Sequence, residues 1–232
     1  IYNPKTKTIN NDILPKALKQ YIAHAGVYAV KKDTFSNIWL GTFGKGLIKF
    51  NLKNRDFKVY NNNLKSKNKI TNNLVRNIVV TKQGDIWFGT QSGLNRITQA
   101  GEIETYFYDD KLDYGDDILS VFQDNQGVIW AGVKAKGLFK LQNNTFKQVN
   151  LYVNKTKVVN VHSVLQDTSR YLWLSTNQGL IKYHIKSGQV LTYSQKDGLV
   201  SNEFNNGSAL KINDSEFYFG GPLGVTTFNS KK

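Results

Sequence analysis

The chain has 232 residues, with 31 lysines and arginines against 17 aspartates and glutamates, giving a formal net charge of +14. It contains no cysteine, which excludes disulfides, thiolate metal sites and thiol catalysis. No apolar run approaches the ~18 residues of a membrane-spanning helix, and no signal peptide is visible.

Along the chain, residues 1–26 read as the end of one structural unit and a connection to the next. A repeat then begins. Its cores align as NIWLGTFGKGLIKF, DIWFGTQSGLNRIT, VIWAGVKAKGLFKL, YLWLSTNQGLIKYH and EFYFGGPLGVTTFN. Trp39, Trp87, Trp130 and Trp173 are spaced 48, 43 and 43 residues apart, and Tyr218 follows 45 residues after the last. Two residues past each aromatic stands Gly41, Gly89, Gly132, Ser175 or Gly220. A second glycine follows in each repeat (Gly46, Gly93, Gly137, Gly179, Gly224), then a branched aliphatic. A fixed period of ~40–50 residues with tryptophan and strand-like runs predicts an all-β propeller.

The second repeat shows what one unit builds. Asn77–Thr81 is a β-branched run, Lys82-Gln83-Gly84 a turn and Asp85–Thr90 the tryptophan strand. Gln91-Ser92-Gly93 turns the chain, Leu94–Thr98 is a third strand and Glu102–Tyr108 a fourth. Strands such as Ile86-Trp87-Phe88 are apolar on both faces, so each four-stranded antiparallel sheet must be covered on both sides, as a blade is by its neighbours. The tryptophans, with Tyr218, are then wedges between blades, and Gly41, Gly89 and Gly132 let the next blade approach. The chain is one domain with repeats at about 27–61, 70–108, 117–149, 160–194 and 200–230.

The ends leave two arrangements open. Tyr2-Asn3-Pro4-Lys5-Thr6 matches Phe50-Asn51-Leu52-Lys53-Asn54, so the chain begins and stops at the end of a third strand. Residues 1–10 either supply the missing outer strand of the last blade and close a five-bladed ring, or the five repeats belong to a larger propeller. The lack of any methionine favours the second. An unpaired third strand at Gly224–Phe228 would present an edge that invites association, including a homodimer.

The charge is uneven. Residues 1–69 carry 14 basic and 3 acidic residues, whereas residues 70–120 carry 4 and 8, including the acidic run Glu104–Asp117. A basic surface attracts polyanions. The lysines are dispersed on strands and turns (Lys31, Lys49, Lys140, Lys182), without the aromatic interleaving of a nucleic-acid surface, and no nucleic-acid partner is expected. With 26 asparagines, the composition also fits an AT-rich coding sequence.

Catalytic and metal motifs are missing from the sequence. His24, His162 and His184 are far apart, and no P-loop, G-x-S-x-G or paired-carboxylate pattern occurs. Asp33, Asp124 and Asp167 each stand six residues before a tryptophan, where turn-forming hydrogen bonds explain them. No catalytic residue, metal or cofactor is expected.

The repeats resemble the two-component regulator propeller repeat, whose pattern is roughly D-x-x-G-x-[LI]-W-[LIVF]-G-T followed by G-[LI]. The residues that carry this are Thr81–Ile97, Asp124–Leu141 and Asp167–Tyr183, with Ile70–Val75 resembling the loop into the innermost strand. The likeness covers nearly the whole chain after about Gly26. Thr81 in place of Asp, Ser175 in place of Gly and Tyr218 in place of Trp depart from it. Asp197–Gly207 with Phe217–Val225 looks like a closing blade, which in the family precedes a β-sandwich, a membrane helix and a signalling output.

The resemblance implies the periplasmic or extracellular sensor region of a hybrid histidine kinase or membrane diguanylate cyclase. It also implies a glycan or oligosaccharide ligand, acidic if the charge is functional, and no turnover. Such a ligand would contact loops on one face, at Lys45, Asn73, Arg76, Lys134, Lys136, His162, Asn177, Asn202 and Asn205. Two other readings stand beside it. Asp85–Tyr108 also resembles a blade of the streptogramin-lyase propellers, which are metal-dependent enzymes, and the fold also suits a protein-binding scaffold.

Overall fold

The computed structural model describes residues 2, 3, 5–9, 14–63, 69–106 and 116–231. The chain opens with β1 (Tyr2–Asn3), β2 (Thr8–Ile9) and helix α1 (Lys16–Ile22). The first blade is β3 (Val27–Lys32), β4 (Asn37–Thr42), β5 (Leu47–Asn51) and β6 (Phe57–Tyr60). The second is β7 (Val75–Val80), β8 (Ile86–Thr90), β9 (Gly93–Ile97) and β10 (Ile103–Tyr106). The third is β11 (Ile118–Gln123), β12 (Ile129–Val133), β13 (Gly137–Gln142) and β14 (Thr145–Val149). A small hairpin follows, β15 (Tyr152–Val153) and β16 (Thr156–Lys157). The fourth blade is β17 (Val161–Gln166), β18 (Tyr171–Thr176), β19 (Gly179–His184) and β20 (Val190–Tyr193). After a 3-10 turn at Gln195–Asp197, the fifth is β21 (Ala209–Lys211), β22 (Glu216–Gly221) and β23 (Gly224–Asn229).

Among the described residues each blade is an antiparallel meander, and four of the five have four strands. The inner strands β3, β7, β11, β17 and β21 pack on one another in that order. The expected β-propeller is therefore present, and the fourth strand foreseen as Glu102–Tyr108 is described to Tyr106.

The repeated motif now has a physical reading. Asp33 Oδ1 accepts from the backbone N–H groups of Phe35 and Asn37, which closes the turn. Its Oδ2 accepts from the Trp39 indole at 2.8 Å. Asp124 does the same for Gln126, Val128 and Trp130, and Asp167 for Ser169, Tyr171 and Trp173. One carboxylate thus builds the turn and fixes the wedge. In the second blade Thr81 keeps only the turn, accepting from Asp85 N, and the Arg96 guanidinium lies 5.6 Å from the centre of the Trp87 ring. The threonine after the motif's small residue caps the next turn: Thr42, Thr90 and Thr176 donate to the carbonyls of Gly46, Gly93 and Gly179. Those glycines are obligatory. Gly46 and Gly179 have φ of 80° and 102°, and a Cβ on either would lie 2.1 Å from a carbonyl oxygen of its own fourth strand.

Each tryptophan packs with side chains of the following blade. Trp39 joins Val75, Ile78, Ile86 and Phe88, and Trp87 joins Ile118, Val121 and Ala131. Trp130 joins Val161, Leu172 and Ile181, and Trp173 joins Phe217 and Phe219. Tyr218 differs. It is half-buried, its hydroxyl donates to Glu216, and Phe217 and Phe219 take the buried positions of that strand.

Burial alone would raise the Asp33 carboxyl. Hydrogen bonds from Asn37, Trp39 and the backbone outweigh it and hold the group below the ordinary carboxylate range. The stability it contributes is full above about pH 4–5 and is lost as pH falls through the lowered native value. Asp33→Asn places an NH2 against the indole and Asn37 donors. It is expected to cost about 2 kcal/mol at pH 7, with the gap to wild type narrowing below pH 4 in acid denaturation series.

Of the two arrangements the sequence left open, closure of the last blade by the start of the chain is not formed among the described residues, and a helix is added there. Tyr2 pairs with Ile9 and Asn3 with Thr8, so residues near the start form their own hairpin instead of completing the last blade. Among the described residues β23 pairs only with β22, and Asn10 lies outside them. A local turn closes with less loop entropy than a pairing across the whole chain. Helix α1 was not foreseen. Its Leu18 packs with Leu40, Ile48 and Phe50, covering the outer part of the first blade, while Tyr28 and Val30 on β3 stay exposed. The spacing Leu14, Leu18, Tyr21, Ile22 is its sequence signal.

Candidate functional site

The inner strands begin at the face that also carries the turns between second and third strands. Near that end each of the first four carries a register shift. Val27 pairs with Thr42 but Ala29 with Gly41, leaving Tyr28 as the extra residue. The same shift leaves Arg76, Leu119 and His162 unpaired on β7, β11 and β17. A bulge re-aims a side chain and kinks its strand. Four blades thus carry four different side chains at one repeated geometry; Tyr28, Arg76 and His162 reach the surface, and Leu119 is buried.

His162 is held on both sides. Its Nδ1 lies 2.6 Å from Asn206 Oδ1 and its Nε2 lies 2.8 Å from Asn177 Oδ1. A neutral imidazole donates from one nitrogen and accepts at the other, so one amide then presents its NH2, whereas an imidazolium donates to both. The Gly207 N–H donates to the His162 carbonyl, and a Cβ on Gly207 would lie 3.8 Å from Asn77 Nδ2. The segment leading into the fifth blade therefore reaches both the fourth and the second.

A charged group flanks this cluster. Arg76 binds Asp117 through two nitrogens, at 2.9 and 3.3 Å. Lys134 Nζ is 4.0 Å from the same carboxylate with its side chain 64% exposed, and Lys136 pairs with Asp116. Three cations face two carboxylates, and Lys134 is the one with most freedom to reach a ligand.

The nine residues named from sequence are only partly gathered. His162 and Asn177 are in contact, and Arg76 and Lys134 meet through Asp117. Lys136 is turned to Asp116, and Lys45 is exposed with its ammonium 5.6 Å from the centre of the Tyr21 ring. Asn73 is engaged in structure: its Oδ1 accepts from Asn62 N, and its carbonyl accepts from Gly44 and Gly46. Asn202 Oδ1 accepts from Gln195 N, and Asn205 is exposed. Sequence reasoning missed Asn206 and Asp117. Asp117 was visible only as the end of an acidic run, most of which lies outside the described residues.

A groove of about 590 Å³ adjoins the cluster over the fourth blade. Hairpin β15–β16 forms one wall and the segment 192–202 the other, with Gln178 between them. Among the described residues no three His, Asp or Glu side chains gather as a metal site.

Comparison with known proteins gives a consistent picture. Residues 69–92 match the family model "Two component regulator propeller". The chain is 40% identical over 234 residues to histidine kinase P4 of Formosa agariphila, aligning over 98% of this chain and 17% of that protein. It thus spans about a sixth of the curated relative's length. Among solved structures it resembles the extracellular domain of a putative hybrid two component system from B. thetaiotaomicron. The TM-score there is 0.77 at 21% identity, over 98% of this chain and 30% of that one. Virginiamycin B lyase from Staphylococcus aureus superposes with a TM-score of 0.63 at 15% identity, over 88% of this chain and 70% of that one. At such identities the structural likenesses establish the fold alone.

Proposed function

We propose that this chain, which carries a two-component regulator propeller repeat, is the extracytoplasmic ligand-sensing part of a signalling receptor and binds an oligosaccharide at the His162 face. The curated relative is a histidine kinase and the solved neighbour is an extracellular domain, which supports the receptor setting. A β-sandwich, membrane helix and output domain would belong to the rest of such a receptor. The observation that carries the ligand reading is the set of bulged inner strands. Blade packing fixes the backbone at this position, so the variable side chains Tyr28, Arg76 and His162 can set specificity, while Leu119 at the same position of the third blade is buried. Around His162 the partners are the amides of Asn177 and Asn206, which offer both donors and acceptors to sugar hydroxyls. Arg76 and Lys134 suit a carboxylate or sulfate on the same ligand.

A thermal-shift screen of neutral and acidic oligosaccharides at two salt concentrations tests this. A ligand at ~100 times its Kd stabilises by about 2.7 kcal/mol, which raises the Tm by roughly 5–10 °C for a chain of this size. An acidic ligand should lose affinity as salt rises, and a neutral one should not. His162→Ala should weaken binding at least ~10-fold, the scale of one lost hydrogen-bonding partner. A protein partner that shifts the Tm when no glycan does would favour a scaffold. Magnesium-dependent consumption of a small molecule would favour a lyase.

A further inference from the structure

We infer that the outer edge of the fifth blade is a strand-binding site. Its occupant is an extended segment of the longer receptor polypeptide that carries an apolar residue and, three places on, an aromatic. The inference concerns how the propeller is completed and does not depend on the glycan reading above.

The four complete blades define what the edge takes. Their outer strands read Phe57-x-x-Tyr60, Ile103-x-x-Tyr106, Phe146-x-x-Val149 and Val190-x-x-Tyr193. The first residue of each pairs with the last apolar residue of the third strand: Phe50, Ile97, Leu141 and Tyr183. The last pairs with the aliphatic that follows the second motif glycine: Leu47, Leu94, Leu138 and Leu180. In three blades that first residue also packs on the tryptophan of the preceding blade. Ile103 joins Trp39, Phe146 joins Trp87 and Val190 joins Trp130. The matching positions on β23 are Phe228 and Val225. Beside Phe228 an opening of about 230 Å³ reaches Trp173, Tyr193 and Leu199, where an apolar side chain opposite Phe228 would pack. Val225 is 55% exposed where Leu47, Leu94, Leu138 and Leu180 are buried.

The edge itself is unprotected. The outer strands of the first three blades carry Lys58, Glu104 and Lys147, charges that discourage further pairing, whereas Gly224–Asn229 carries none. Among the described residues β23 has β22 as its one strand partner. The start of the chain does not fit it. Tyr2 pairs with Ile9 as Phe50 pairs with Phe57, and the residue three places after Ile9 is Asp12, not an aromatic. This chain aligns to 17% of histidine kinase P4, so a receptor of that kind has ample further polypeptide to supply a strand. A strand tethered to the same polypeptide binds at high effective concentration and needs no tight intrinsic affinity.

The probe is a synthetic peptide copying residues 54–61, which holds Phe57-x-x-Tyr60 and enough charge to stay soluble. Calorimetry should show it binding the 232-residue chain, and amide exchange across Gly224–Asn229 should slow as the outward N–H groups gain acceptors. The same peptide with Phe57→Asp should bind at least ~10-fold more weakly, the scale of one buried apolar side chain. Val225→Asp in the protein sets a carboxylate where the tyrosine ring packs. It should weaken binding as much without moving the Tm, because Val225 is exposed. The longer receptor, with its edge already paired, should not bind the peptide. If the peptide fails to bind at ~1 mM, or binds equally well with Phe57→Asp, the strand site is overturned. If the longer receptor binds it as tightly as the 232-residue chain does, the edge serves a separate protein and the proposed source is overturned. Dimerisation that Val225→Asp abolishes would assign the edge to a second copy and overturn it equally.

Discussion

Trp130→Ala is expected to lower the unfolding free energy by about 3–5 kcal/mol, read as a shift in the urea midpoint at unchanged m-value. Trp130 is 1% exposed and its ring lies edge-on to Tyr183 at 6.1 Å. The cluster around it combines its own blade's Leu138 with Val161, Val164, Leu172 and Ile181 of the next, so truncation opens a cavity where two rigid sheets meet. Sheets pinned by their own hydrogen bonds collapse little, which places the cost near the top of the range. The mutation also leaves Asp124 Oδ2 without its indole donor. Trp130→Phe keeps most of the volume and loses that bond, so about 1–2 kcal/mol is expected. Tyr218→Ala, at the corresponding but half-buried position of the last blade, should cost under about 1 kcal/mol. A loss below ~1 kcal/mol for Trp130→Ala would sink the wedge interpretation for that interface.

How much of this was legible in the sequence follows from how local each interaction is. The aspartate, tryptophan, small residue, threonine and glycine of the motif act within a few residues of one another, or upon the next copy of the same motif. Repetition therefore exposes them. Thr81 shows the rule by exception: without the carboxylate, Asp85 is engaged instead by Arg96 and the Gln99 N–H. The site was less legible because its partners are distant in sequence. Arg76 meets Asp117 and His162 meets Asn206 only after separate blades have packed. The bulges that aim Arg76 and His162 are a matter of register, which no single strand displays. Asn73, named from sequence as a ligand contact, is a brace between the first two blades.

Gly132→Ala is expected to cost about 3 kcal/mol or more, the upper end for overpacking, despite adding one methyl group. A Cβ there would lie 2.1 Å from the Val161 carbonyl oxygen and 2.4 Å from Ser120 Oγ. Neither can yield cheaply. The carbonyl belongs to the next blade's inner strand and already accepts from the Ser120 hydroxyl at 2.9 Å. Relief requires the third and fourth blades to separate. Ser175, at the same position one blade later, already carries a side chain, and its hydroxyl has no hydrogen-bond partner among the described residues. Ser175→Ala should therefore be neutral or slightly stabilising, which makes it the internal control. The consequence reaches the candidate site, because Val161 directly precedes the bulge at His162. Moving that strand moves the imidazole away from Asn177 and Asn206. The protein that remains folded in Gly132→Ala should bind oligosaccharide at least ~10-fold more weakly, a loss of about 1.4 kcal/mol. Denaturation and calorimetry on the same preparation separate the two effects. A variant with normal stability would show that the blades are not in contact at Gly132. A destabilised variant with unchanged affinity would show that the ligand does not depend on the His162 strand.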